Sequence, residues 1–224
     1  MIAVTALVQP AMAQEAPAPR VDALGSEPSP KGHWRFGAFL GAAHNSPVTP
    51  HLGTTPGRDH YFLGLQAQTT VLKVGGARVS YGVQFVPAMI VRGRTLPLYY
   101  YVSPEELDTF IDNTAYAFGF SPFAIEIAVP VAGRVAVYGS AAGGLIFFNK
   151  PFPVPEAKSS NFTIEWGGGV LVRIGRKQWV QAGYKFHHLS NAYNTLVNPG
   201  LDANMFYVGF WKGLGKSLPA EQPR

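Results

Sequence analysis

From Gly32 onward the chain repeatedly alternates apolar and polar side chains with a period of two, in segments of about ten or more residues separated by turn-forming residues. Eight such segments are legible: His33 to Asn45, His60 to Leu72, Ala77 to Val91, Tyr116 to Val129, Gly133 to Phe148, Phe162 to Ile174, Gln178 to Leu189 and Ala203 to Lys212. In the sixth, Phe162, Ile164, Trp166, Val170, Val172 and Ile174 share one face. Thr163, Glu165, Gly167, Gly169 and Arg173 share the other, with Leu171 the exception. In the second, Tyr61, Leu63, Leu65 and Val71 oppose Gln66, Gln68 and Thr70; in the third, Val79, Tyr81, Val83 and Phe85 oppose Arg78, Ser80 and Gln84.

The links between segments alternate in length. Lys73 to Gly76, Pro130 to Ala132 and Gly175 to Lys177 are tight, whereas Ser46 to Asp59, Arg92 to Ala115, Asn149 to Asn161 and Ser190 to Asp202 are long. Short turns at one end and long loops at the other are the layout of an outer-membrane barrel whose chain starts and finishes in the periplasm. The expected fold is therefore all-β, an eight-stranded antiparallel transmembrane β-barrel with short periplasmic turns and longer extracellular loops. Apolar faces then meet lipid and polar faces line the lumen. A barrel of this size is narrow enough for its own side chains to fill. Glu126, Glu165, Arg78, Arg173 and Lys185 are accordingly expected as lumen ion pairs, not as a channel lining. In the second long link, Ser103-Pro104-Glu105-Glu106 has the form of a capping box, predicting a short outer helix to about Ile111, and Tyr99, Tyr100 and Tyr101 before it suit an aromatic belt.

Composition agrees with one β-rich domain: 14% charged residues, 13% aromatics and 25 glycines are too apolar for disorder and too interrupted for a helical protein. No cysteine is present, which removes disulfides, thiolate catalysis and cysteine-ligated metals. The net charge of +5 comes without a cluster of basic residues interleaved with aromatics, so no nucleic-acid partner is expected. Residues 1–13 end in Ala11-Met12-Ala13, an A-x-A cleavage pattern, and read as the remnant of a signal peptide. Residues 14–31, rich in proline, form an extended leader, residues 32–212 the barrel, and residues 213–224 a polar tail.

The chemistry is concentrated between Tyr184 and Asp202. His188 and Ser190 are two residues apart, so on a strand they leave from one face, and Asn198-Pro199-Gly200 is a turn able to bring Asp202 back towards His188. That combination supplies a nucleophile, a base and an orienting acid. Parity puts His188 and Ser190 with Val180, Ala182, Tyr184 and Phe186 on the lipid-facing side. Polar groups there are costly unless used, which favours a hydrolase whose substrate arrives from the bilayer. His187 and His188 point to opposite faces and do not form a metal pair. Gly167-Gly168-Gly169 lacks the lysine and the strand–loop–helix setting of a phosphate loop, and is expected to serve close packing.

His188-Leu189-Ser190-Asn191-Ala192, followed by Asn198, Gly200 and an acid at 202, resembles the active-site signature of the outer-membrane lipid A 3-O-deacylases, the PagL family of acyloxyacyl hydrolases. That resemblance implies an eight-stranded barrel in the bacterial outer membrane, monomeric or homodimeric, acting on the lipid A part of lipopolysaccharide in the outer leaflet without a cofactor or metal. It implies Ser190 as nucleophile, His188 as general base and Asp202 as orienting acid. Asn191 and Asn198 are then supporting or oxyanion-side groups, with Ala192 and Gly200 in the loop around them and a backbone donor near 192 and 193. The sequence departs from the family pattern in carrying Asp202 where the family has Glu and Tyr193 where it has Gly. An outer-membrane phospholipase using the same residues, and a non-catalytic structural or adhesion barrel, are the alternative readings.

Overall fold

A computed structural model of the chain describes residues 34–49, 52–93 and 114–214. All eight expected strands form: β1 (Trp34–Ala43), β2 (Arg58–Val74), β3 (Ala77–Gly93), β4 (Ala115–Ala132), β5 (Val135–Phe148), β6 (Ser160–Gly175), β7 (Gln178–Ser190) and β8 (Leu201–Gly213). Each pairs antiparallel with the next, and β8 pairs with β1, closing the barrel. Closure leaves no unpaired strand edge, the condition a sheet must meet to lie in hydrocarbon. The expected leader and its cleavage site, the outer helix after Ser103, Tyr99 to Tyr101 and the tail beyond Leu214 lie outside the described residues.

The turns follow from the local sequence. β2 and β3 are joined by Gly75-Gly76 at φ 56° and 87°, the left-handed pair that a two-residue hairpin requires and that glycine adopts without a steric penalty. Gly133-Arg134 and Arg176-Lys177 make the other two tight links.

The alternation continues from strand to strand, shifting phase where the ladder is irregular. On β4, Tyr116, Phe118 and Phe120 face outward, then Phe123, Ile125, Ile127 and Val129 do. Between Phe120 and Phe123 the ladder bulges at Ser121-Pro122, where a proline that cannot donate is accommodated. The Tyr81 hydroxyl donates to the Pro122 carbonyl at 2.7 Å. Pro87 marks the corresponding irregularity of β3, between Val86 and Met89. The outward surface is apolar all round, including Phe36, Leu40, Leu65, Phe85, Val137, Ile164, Phe206 and Val208, and a solvent other than water is its only stable surrounding. Ala182, paired with Val170 and Val208, lies within this band. Ala182→Arg is expected to destabilise the barrel by about 2–4 kcal/mol, read by denaturant titration in liposomes.

The lumen is filled. Arg35 donates to Gln68 Oε1 at 2.6 Å and pairs with Glu126, which also faces Arg78 at 3.6 Å, and the Arg35 guanidinium lies 4.6 Å from the centre of the Trp211 ring. Lys185 pairs with Glu165 at 2.9 Å inside a cage of Phe39, Phe62 and Tyr207. Arg173 is at the short-turn end, donating to the carbonyls of Gly175 and Arg176 at 3.0 Å. Leu171, the exception in the sixth segment, is buried on the lumen side, opposite Ala136 of β5. The glycine run makes room for the hydroxyl pair of Tyr138 and Tyr207: a Cβ at Gly169 or Gly183 would stand 2.9 or 2.5 Å from the Tyr138 oxygen. At the long-loop end Phe152 turns into the mouth, stacked on Phe148 at 4.1 Å, and the buried Arg58 donates to the Pro153 carbonyl at 3.2 Å.

Candidate active site

β7 carries the candidate residues to the long-loop end of the barrel. Trp179, Gln181, Lys185, His187 and Leu189 are buried, while Val180, Ala182 and Tyr184 face out. His188 and Ser190 keep the outward parity but are only partly exposed. On the neighbouring strand Phe162 pairs with Ser190 and Ile164 with His188, both Phe162 and Ile164 exposed, so an apolar wall rises directly to Ser190. His187 points the other way, into the lumen, where its Nε2 meets Thr163 Oγ1 at 2.5 Å. Among the described residues no group of three or more His, Asp or Glu is placed to hold a metal ion.

Beyond Ser190 the chain turns sharply and returns. Asn194 N–H donates to the Asn191 carbonyl at 3.0 Å, closing a β-turn whose central residues Ala192 and Tyr193 have φ 51° and 59°. Positive φ at both is the mark of a type I′ turn, which favours Asn and Gly and strains a residue bearing a Cβ. The glycine of the family pattern at 193 has a physical reason here. Tyr193→Gly is expected to raise folding stability by about 1 kcal/mol, measured by denaturant titration.

Two asparagines tie the loop across its base. Asn191 N–H donates to Asn198 Oδ1 at 2.9 Å, and Asn191 Nδ2 donates to the Val197 carbonyl at 2.8 Å and to Thr195 Oγ1 at 2.9 Å. These donors are therefore engaged within the loop. Gly200, at φ 61°, passes so close to the Leu52 carbonyl that a side chain would collide with it. β8 then begins, and its second residue, Asp202, is the direct cross-strand partner of His188.

Direct pairing brings the acid and the base together. His188 Nδ1 and Asp202 Oδ1 are 2.6 Å apart, with Asp202 fully buried and the imidazole nearly so. An ionised carboxylate only accepts, so Nδ1 carries the proton and Nε2 is left as the basic nitrogen. Ser190 is not hydrogen-bonded to His188; they share a face two residues apart. Such bonds often tighten only when substrate is seated.

One contributor carries no signal in the sequence. The first long loop folds across the barrel rim so that Gly53 N–H donates to Asp202 Oδ2 at 3.1 Å. Thr54 secures the contact, donating from its N–H at 2.7 Å and its hydroxyl at 2.6 Å to the Pro199 carbonyl. Glycine offers no side chain by which to recognise this role, and Gly53 lies 149 positions from its partner.

The family model for lipid A 3-O-deacylase (PagL) matches residues 75–211. No curated protein sequence matches the chain. Among solved structures, the crystal structure of the outer membrane enzyme PagL superposes with a TM-score of 0.54 at 14% identity, covering 77% of this chain and 97% of that one. Neisserial surface protein A aligns with a TM-score of 0.46 at 11% identity over 80% of this chain and 96% of its own. OprG from Pseudomonas aeruginosa aligns with a TM-score of 0.44 at 10% identity over 83% and 97%. At such identities a structural likeness speaks for fold; the family match covers β3 to most of β8, with Ser190, His188 and Asp202 but not the loop that carries Gly53.

Proposed function

This chain belongs to the lipid A 3-O-deacylase (PagL) family, ester hydrolases of the bacterial outer membrane, and on that premise we propose that Ser190, His188 and Asp202 remove an acyl chain from lipid A by a serine mechanism. The observation that carries this reading is the His188–Asp202 pair at Nδ1, set beside Ser190 on the lipid-facing side of β7. Ser190 Oγ attacks the ester carbonyl as His188 Nε2 takes its proton. The tetrahedral intermediate collapses when His188 returns that proton to the sugar oxygen, breaking the acyl–oxygen bond. Water, deprotonated by His188, then attacks the acyl-serine and releases the fatty acid, restoring Ser190. Asp202 holds the imidazole in the required tautomer and stabilises its cation.

The asparagines take a supporting role. With Asn191 N–H and Nδ2 engaged by Asn198, Val197 and Thr195, the oxyanion is left in this reading to the backbone N–H groups of Ala192 and Tyr193, in the positive-φ turn that follows Ser190 in the chain. Phe162, Ile164 and Phe206 flank the site with exposed apolar surface, along which an acyl chain remains in hydrocarbon while its ester reaches Ser190 at the membrane boundary.

The test is direct. Detergent-folded protein is incubated with lipopolysaccharide and, separately, with phospholipid, and released acids and shortened lipids are identified by mass spectrometry. Loss of one ester-linked acyl chain from lipid A alone is the expected result. Release from phospholipid alone would make it a phospholipase, and release from neither by folded barrel would leave a non-catalytic one.

A further inference from the structure

We propose that the first outer loop is a working part of the hydrolytic site, with the Gly53 N–H as the positioning group that fixes the Asp202 carboxylate on His188. The inference rests on the Ser190–His188–Asp202 reading and adds a fourth member from the opposite end of the sequence.

A carboxylate held at one oxygen retains rotation about its Cβ–Cγ bond. Asp202 is held at both: Oδ1 meets His188 Nδ1 at 2.6 Å and Oδ2 accepts from Gly53 N–H at 3.1 Å. Those two bonds on opposite oxygens set the carboxylate plane and aim an Oδ1 lone pair at the imidazole. Asp202 has no exposure to bulk solvent, and without Gly53 its Oδ2 is a buried charged oxygen lacking this donor. Close approach of the loop depends on glycine. A Cβ at 53 would stand 2.5 Å from Asp202 Cγ and 2.7 Å from its backbone nitrogen, distances that force the loop or the acid to move. The loop is itself fastened for this approach, by Thr54 to the Pro199 carbonyl and by Ser46, whose hydroxyl donates to the Thr55 carbonyl and accepts from Arg58 N–H, both at 3.0 Å.

Gly53→Ala is expected to lower kcat about 10–100-fold with KM within about twofold, the size of effect that a displaced catalytic group produces. Heat-modifiable migration should be retained, because the loop is outside the strands. A purely structural role is separated by a double-mutant cycle: in an Asp202→Ala background, Gly53→Ala should cost less than about twofold more. Thr54→Val, which removes one fastening without adding bulk at the acid, should lower kcat more mildly and lose its effect in the same background. Equal losses in both backgrounds, or unchanged kcat in Gly53→Ala, overturn the proposal. If the parent hydrolyses no lipid, the functional reading fails, and the positioning claim is decided by proton NMR. The downfield Nδ1 proton of His188, a signature of a short histidine–carboxylate bond, should be present in the parent and lost in Gly53→Ala; its persistence in the variant overturns the inference.

Discussion

Ser190→Ala and His188→Ala should each lower lipid A hydrolysis by about 10⁴-fold or more, to the background rate, while the barrel keeps its heat-modifiable migration. The two losses should be of similar size and should not add in the double variant, because a hydroxyl without its base and a base without its hydroxyl are equally idle. Folding should be spared because both positions are the last outward residues of β7, outside the lumen packing formed by Lys185, Glu165 and their aromatic cage. Mass spectrometry of the lipid product and gel mobility of unheated protein check the two halves of this expectation separately. Ser190→Ala with wild-type turnover would remove the serine mechanism and leave the family assignment standing.

Asp202 variants carry the second large effect. Asp202→Asn is expected to lower kcat by about 10²–10⁴-fold with KM nearly unchanged, since the lost interaction matters only as the imidazolium forms. The family's Glu, by contrast, should not improve this enzyme. His188 and Asp202 are direct cross-strand partners, a relation that places Cβ atoms about 4.5–5.5 Å apart, so the shorter acid already reaches Nδ1. An added methylene has Gly53 in its way, and Asp202→Glu should therefore fall about tenfold in kcat, as a misplaced catalytic group does. Steady-state kinetics on one lipid A substrate distinguish these cases. Higher turnover in Asp202→Glu would show that the rim yields to the longer side chain and that Gly53 does not set the reach of the acid.

Much of the architecture is legible before any coordinates because a barrel in lipid writes its two faces into every strand. Phe162, Ile164 and Trp166 against Thr163 and Glu165 is such a record, and the Gly75-Gly76 turn states where the strand reverses. Two of the places where alternation slips, Pro122 on β4 and Pro87 on β3, are prolines at ladder irregularities, visible once a missing donor is taken as a reason for a bulge; the shift between Thr70 and Leu72 on β2 has no such mark. The shared face of Ser190 and His188 is legible from spacing, and the return of Asp202 towards His188 from the turn that precedes it. The engagement of Asn191 with Asn198 was not, because a short asparagine-rich loop admits many internal hydrogen-bond patterns. Gly53 was beyond reach for a different reason: its contribution is a backbone N–H, which every residue but proline has, and only the closed barrel tells which one meets Asp202.

Closure of the barrel has a consequence for when the enzyme becomes an enzyme. β1 is zipped to β8, Ser190 ends β7, Asp202 is the second residue of β8, and Gly53, which donates to it, comes from the loop between β1 and β2. A chain that has yet to bring its last strand home has Ser190 and His188 on one segment but no carboxylate opposite the imidazole. The His188–Asp202 pair, only 14 positions apart, comes with the β7–β8 hairpin, whereas closing β8 on β1 joins sequence-distant strands and comes late because the loop entropy it must overcome is large. On the proposed reading, the last member of the centre to arrive is thus the Gly53 N–H, brought to Asp202 by the same event that seals the sheet.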